Sequence, residues 1–176
     1  MTRYAAFLRG VNLGKRTVKS ADLKTVFEAL GFAEVKTLLA SGNVLFDSPP
    51  DKNLQKKMEA ALRQQFGFEV GTVLRSLDEL GTMVESQPFG KLRESADIKL
   101  YVLLFAEPLP KDLRLTGQPG DFDMVGQTQR ELFVVAHRQP NGRYGEGMLK
   151  LEKQLPKGTL VTTRNWNTIL RAVATS

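Results

Sequence analysis

The chain has no cysteine and only one histidine, His137, among its 176 residues. Disulfide scaffolds, thiolate metal sites and cysteine nucleophiles are therefore excluded, and no site can use two imidazoles, which removes most zinc enzymes. Long apolar runs are also missing. No segment approaches the roughly 20 residues needed to span a bilayer. The apolar stretch near the start is about five residues long and is interrupted by Arg9, unlike a secretory signal. The expectation is a cytoplasmic protein with no membrane partner and no bound cofactor or metal, and a monomer is favoured.

What remains is the composition of an ordinary globular protein, 41% hydrophobic and 25% charged, long enough for one large domain or two small ones. The net charge is +6, and its placement is uneven. Arg3, Arg9, Lys15, Arg16 and Lys19 precede the first acid, Asp22, and Lys153, Lys157, Arg164 and Arg171 follow the last, Glu152. These nine cations exceed the net charge, so residues 22–152 net −3. If folding joins the two ends, a basic face results.

Hydrophobic periodicity gives the element order. A strand at Tyr4–Leu8 runs into a glycine-containing loop. A helix follows, with Ser20 as N-cap, an apolar face of Leu23, Val26, Phe27 and Leu30, and Gly31 as its left-handed stop. Strands at Val35–Leu39 and Val44–Phe46 flank the turn residues Ala40 to Asn43. Leu54, Met58, Ala61, Leu62 and Phe66 mark a helix closed by Gly67, and Phe68–Leu74 is a fourth strand. Strand, helix, strand, strand, helix, strand is the split βαβ or ferredoxin-like order.

Ser76 with Glu79 forms a capping box for a connecting helix that Pro88 ends. The nearly continuous apolar run Ile98–Ala106 predicts a central strand covered on both faces. A short helical segment at Lys111–Leu115, a hairpin of Phe122–Val125 and Glu131–His137, a helix through Met148, Leu151 and Leu155, and a strand at Leu160–Thr163 repeat the first half. Trp166, Ile169, Leu170 and Val173 predict a final helix, whose register favours Trp166 as a core anchor over the alternative, a ring that stacks on a ligand. The fold class is thus α+β, two ferredoxin-like subdomains at 1–75 and 98–176 joined by a helical connector at 76–97, the second carrying the C-terminal helix.

The blocks Leu8-Arg9-Gly10-Val11-Asn12, Ser41-Gly42-Asn43-Val44, Pro88-Phe89, Lys99-Leu100-Tyr101-Val102 and Thr162-Thr163-Arg164-Asn165-Trp166-Asn167-Thr168 resemble the signature of the bacterial domain of unknown function family 1697, in the family's order. The last block is the most specific. Two departures are modest: Lys15 follows Gly14 where many relatives have a second glycine, and Ser20 follows Lys19 where the family usually has Met. The resemblance implies two ferredoxin-like subdomains and no established activity.

The Arg9 loop and the Arg164 segment each lie where a strand gives way to a helix, and such junctions present unpaired N–H groups to anions. Arg9 and Arg164 add forked donors, Asn12, Asn43, Asn165 and Asn167 add amides, and Gly10, Lys19 and Ser41 complete the candidate ligand-binding set. Arg9, Asn12, Ser41, Asn43 and Arg164 are expected to line one cleft. None of the set titrates near neutral pH, so no catalytic residue is assigned. Asp121 and Asp123 form an isolated D-x-D pair, His137 has no evident nucleophile, and Gly142, Gly145 and Gly147 do not match a dinucleotide fingerprint. The leading functional reading is a binding module for a phosphate-bearing ligand, nucleic acid or phosphorylated small molecule. The alternatives are an enzyme acting on an anionic small molecule and a protein-interaction domain.

Overall fold

The computed structural model describes residues 1–11, 16–39 and 42–175. It divides into two units, one of Met1–Thr82 with Thr168–Ser176 and one of Met83–Asn167.

The first unit contains β1 (Thr2–Arg9), α1 (Ser20–Ala29), β2 (Ala33–Leu38), β3 (Asn43–Ser48), α2 (Leu54–Phe66) and β4 (Gly71–Ser76). Its antiparallel sheet has the order β2-β3-β1-β4, with Phe7 opposite Asn43 on one side and Val73 on the other. Alternation explains which face takes the helices. Tyr4, Ala6, Leu8, Val44, Phe46 and Leu74 point one way and form a core with Leu23, Val26 and Phe27 of α1 and Leu54, Met58 and Leu62 of α2. Phe46 is its hub, in ring contact with Tyr4, Phe27 and Phe32. A fully buried ring such as Phe46 or Phe27 contributes on the order of 1.5–3 kcal/mol from removal of its surface from water. The opposite set, Ala5, Phe7, Leu45 and Val73, is buried as well, so the middle of this sheet is covered on both faces while Lys36 of the edge strand stays exposed.

Gly67 closes α2 in the left-handed conformation its position predicts, at φ 78°. At α1 the sequence-based cap is corrected by one residue. Lys19 holds the extended N-cap position and makes no side-chain cap bond, while Ser20 is already helical. The helix instead starts on the Lys19 carbonyl, which accepts from Asp22 and Leu23 N–H at 3.1 Å each. The Ser76–Glu79 capping box forms reciprocally, with bonds of 3.0 and 3.1 Å, and starts α3 (Leu77–Glu85).

The second unit contains β5 (Ile98–Phe105), β6 (Phe122–Gln127), β7 (Glu131–His137), α4 (Met148–Glu152) and β8 (Val161–Asn165), followed by α5 (Trp166–Thr175), which begins here and ends in the first unit. The sheet order β6-β7-β5-β8 repeats the first unit's pattern strand for strand. The helix expected at Lys111–Leu115 is absent. Between Pro110 and the breakers Gly117 and Pro119 too few residues remain to propagate a helix, and only a turn survives, with Leu113 N–H on the Pro110 carbonyl at 3.1 Å. Leu109 and Leu115 of this loop fill the place a helix would take, packing with Leu103, Phe105, Leu132, Val134 and Leu151. On the other face Trp166 meets Phe89 and Phe133 edge to face, at centroid distances of 5.3 and 6.1 Å. The buried positions of α5 are Trp166, Thr168, Ile169 and Ala172. Leu170, expected in the core, is 37% exposed, because the buried stripe runs one position round the helix from it.

The molecule is therefore an α+β protein with two four-stranded antiparallel sheets of split βαβ type and a C-terminal helix. Among the described residues no helix is long and apolar enough to cross a membrane.

Candidate functional site

In the first unit two signature turns meet. Gly10, at φ 76°, turns the chain as β1 ends, and Gly42, at φ 68°, turns it ahead of β3. Leu8 N–H donates to the Gly42 carbonyl at 2.9 Å. A β-carbon on residue 42 would stand 3.0 Å from Val11 Cγ2 and 3.1 Å from Leu8 Cβ, so the bare backbone of Gly42 packs against these two side chains. Asn43 is buried there, and its Nδ2 donates to the Leu38 carbonyl at 3.1 Å, closing the β2–β3 hairpin. That amide is built into the fold. Asn12 and Ser41, predicted beside it, lie outside the described residues.

Val11 and Val18 are buried and pin the two ends of the β1–α1 loop to the core. Arg9, Arg16 and Lys19 remain exposed around it. The Arg16 guanidinium carbon lies 4.6 Å from the centroid of the Phe68 ring, an arginine–aromatic stack that the sequence reading missed. Contact across 52 positions has no local signal. Arg3, counted with the basic end, is engaged elsewhere by an ion pair to Asp47 at 3.0 Å and a bond to the Glu34 carbonyl.

The remaining predicted residues, Arg164, Asn165 and Asn167, lie in the second unit. Asn165 ends β8 and accepts the Asn167 N–H at 2.9 Å, so it caps α5. Its Nδ2 donates to Glu94 Oε1 at 2.6 Å, and Asn167 Nδ2 donates to Glu94 Oε2 at 3.2 Å. Leu100 N–H reaches the same carboxylate at 3.0 Å. Glu94 is thus the acceptor around which this segment is organised, and nothing in its own sequence neighbourhood marked it. Tyr101, opposite Asn165 in the sheet, has its phenol pushed above the ordinary value by burial and then by the charge of Glu94, so it stays a protonated donor. Arg164 Nη1 donates to Thr162 Oγ1 and to the Thr163 carbonyl, at 2.5 and 3.0 Å. Burial pushes its guanidinium down to about 10, still well above neutrality.

The D-x-D pair separates. Asp123 bonds His137 Nε2 at 2.6 Å on an exposed edge, whereas Asp121 is buried. Among the described residues no group of three or more His, Asp or Glu side chains could hold a metal ion.

Two split βαβ units that share one strand order and carry these two asparagine-bearing turns define the class. The chain belongs to the family described as protein of unknown function DUF1697, whose model matches residues 1–131. It is similar in fold to a conserved bacterial protein from Streptococcus pneumoniae, with a TM-score of 0.71 and 24% identity, covering 98% of this chain and 97% of that one. No match was found among curated proteins.

Proposed function

We propose that the protein is a binding module for a phosphate-bearing ligand, nucleic acid foremost, and that the β1–α1 loop of the first unit makes the contact. The observation that carries this reading is the exposure of Arg9, Arg16 and Lys19 around one loop, in a stretch with no acid before Asp22. Cations that face water attract a polyanion by releasing its counterions, which makes affinity fall steeply with salt. The Arg16–Phe68 contact supports the nucleic-acid form of the reading, since a guanidinium placed over a ring beside a basic loop is a platform on which a base can stack. Asn43 supports the fold beside this loop, its amide bonded to the Leu38 carbonyl, whereas the amides of Asn165 and Asn167 are taken up by Glu94 within the second unit. Arg164, in the second unit, is a separate candidate for anion contact, a largely buried cation that stays charged.

The test is fluorescence anisotropy with labelled single-stranded RNA and DNA across a salt series, with phosphorylated metabolites titrated calorimetrically at low salt. The log–log salt slope should be steeply negative. Arg9→Gln and Lys19→Gln should each weaken binding and reduce that slope by about one per lost phosphate contact. A flat slope, or unchanged affinity in both variants, defeats the reading.

A further inference from the structure

A groove of about 560 Å³ opens in the second unit between the loop that follows β5 and the β6–β7 turn, lined by Pro110, Lys111, Arg114, Gln127, Thr128 and Gln129. Its volume falls within the range of small-molecule sites. Both walls are fixed. Leu109 and Leu115 bury the loop's two ends in the core, and Leu109 N–H donates to the Gln129 carbonyl at 2.7 Å. Farther along, Thr116 exchanges two hydrogen bonds with the Gln154 side chain, at 2.8 and 3.0 Å. A groove held this way loses little freedom when it is filled.

The lining is rich in donors and has no carboxylate. Lys111 and Arg114 supply two cations, and Gln127 and Gln129 supply amides whose Nε2 groups reach the Leu113 and Leu109 carbonyls only at 3.4 and 3.5 Å. Bonds that long are weak, so these N–H groups can turn to a better acceptor at small cost. Arg114 Nη1 likewise makes only two 3.3 Å bonds to the carbonyls of its own turn. Glu131 accepts from Thr128 Oγ1 at 2.9 Å, and Glu107 and Asp112 of the loop do not line the groove.

We propose that this groove is a binding site for a small molecule bearing a phosphate or carboxylate group, gripped by Lys111 and Arg114 and oriented by the two glutamine amides. It is separate from the Arg9 loop and stands whether or not that loop binds nucleic acid. The probes are inorganic pyrophosphate and succinate, titrated into the isotopically labelled full chain at low salt and followed by backbone amide shifts. Shifts should cluster at residues 111–114 and 127–129, and the probe that gives the lower dissociation constant identifies the anionic group. Lys111→Gln and Arg114→Gln, both exposed positions, should each weaken that binding about tenfold with the melting temperature unchanged, whereas Arg9→Gln should leave it intact. Shifts confined to other residues, no saturable shift with either probe, or full affinity in Arg114→Gln would overturn the proposal.

Discussion

The carboxylate of Asp121 occupies the space that a β-carbon on residue 147 would need. A side chain there would overlap Asp121 Oδ2 and lie 2.9 Å from both Asp121 Cγ and Gln118 Oε1. Gly147 precedes α4, and its φ of −69° is one that any residue adopts, so what glycine avoids here is contact with the ends of the Asp121 and Gln118 side chains and not a backbone conformation. Asp121 Oδ1 is buried with no hydrogen-bond partner, so the carboxylate is packed against this helix start without a donor.

Gly147→Ala should therefore destabilise the second unit by about 1–3 kcal/mol, the usual cost of overpacking. Urea denaturation measures it. An unchanged midpoint would mean that the Asp121 segment moves aside freely.

Trp166 is buried to 8% exposure against Phe89 and Phe133. Trp166→Ala should cost about 3–5 kcal/mol, while Trp166→Phe keeps most of the contact and costs less. As the chain's single tryptophan, it should also emit at short wavelength and resist acrylamide quenching in the native protein. A stable Trp166→Ala protein with weakened ligand binding would reassign the ring to the ligand.

Glu94 accepts from Asn165, Asn167 and the Leu100 N–H, so removing its charge should disturb three bonds together. Glu94→Gln places an amide opposite two amide donors and should cost about 1–3 kcal/mol. A double-mutant cycle with Asn165→Ala should show coupling of at least about 0.5 kcal/mol. Additive effects would indicate that the network is not a unit.

Glu59 of α2 is held above the ordinary carboxylate range by burial, which outweighs its bond from Gln55. The folded state then binds more protons than the unfolded one just above pH 4.5, so this group's contribution to stability falls as pH rises through that window. Glu59→Gln should flatten the fall in a series of melting temperatures between about pH 4 and 7. An identical pH profile in the variant would contradict the assignment.

The sequence by itself determined the two split βαβ units, because strand alternation, helical spacing and the stops at Gly31, Gly67 and Pro88 are local properties of the chain. The Ser76–Glu79 capping box was legible for the same reason: both partners lie within one helical turn. Only the tertiary structure decided what depends on distant partners. It replaced the helix near Lys111 with a loop whose leucines serve the same core, and it turned Leu170 outward. It also gave the amides of Asn165 and Asn167 to Glu94, more than 70 positions away. The residue types suited to anion recognition could be read from the chain, but whether each donor faces water or an internal acceptor is set by packing, since a hydrogen-bonding group takes whichever partner the fold brings within 3 Å.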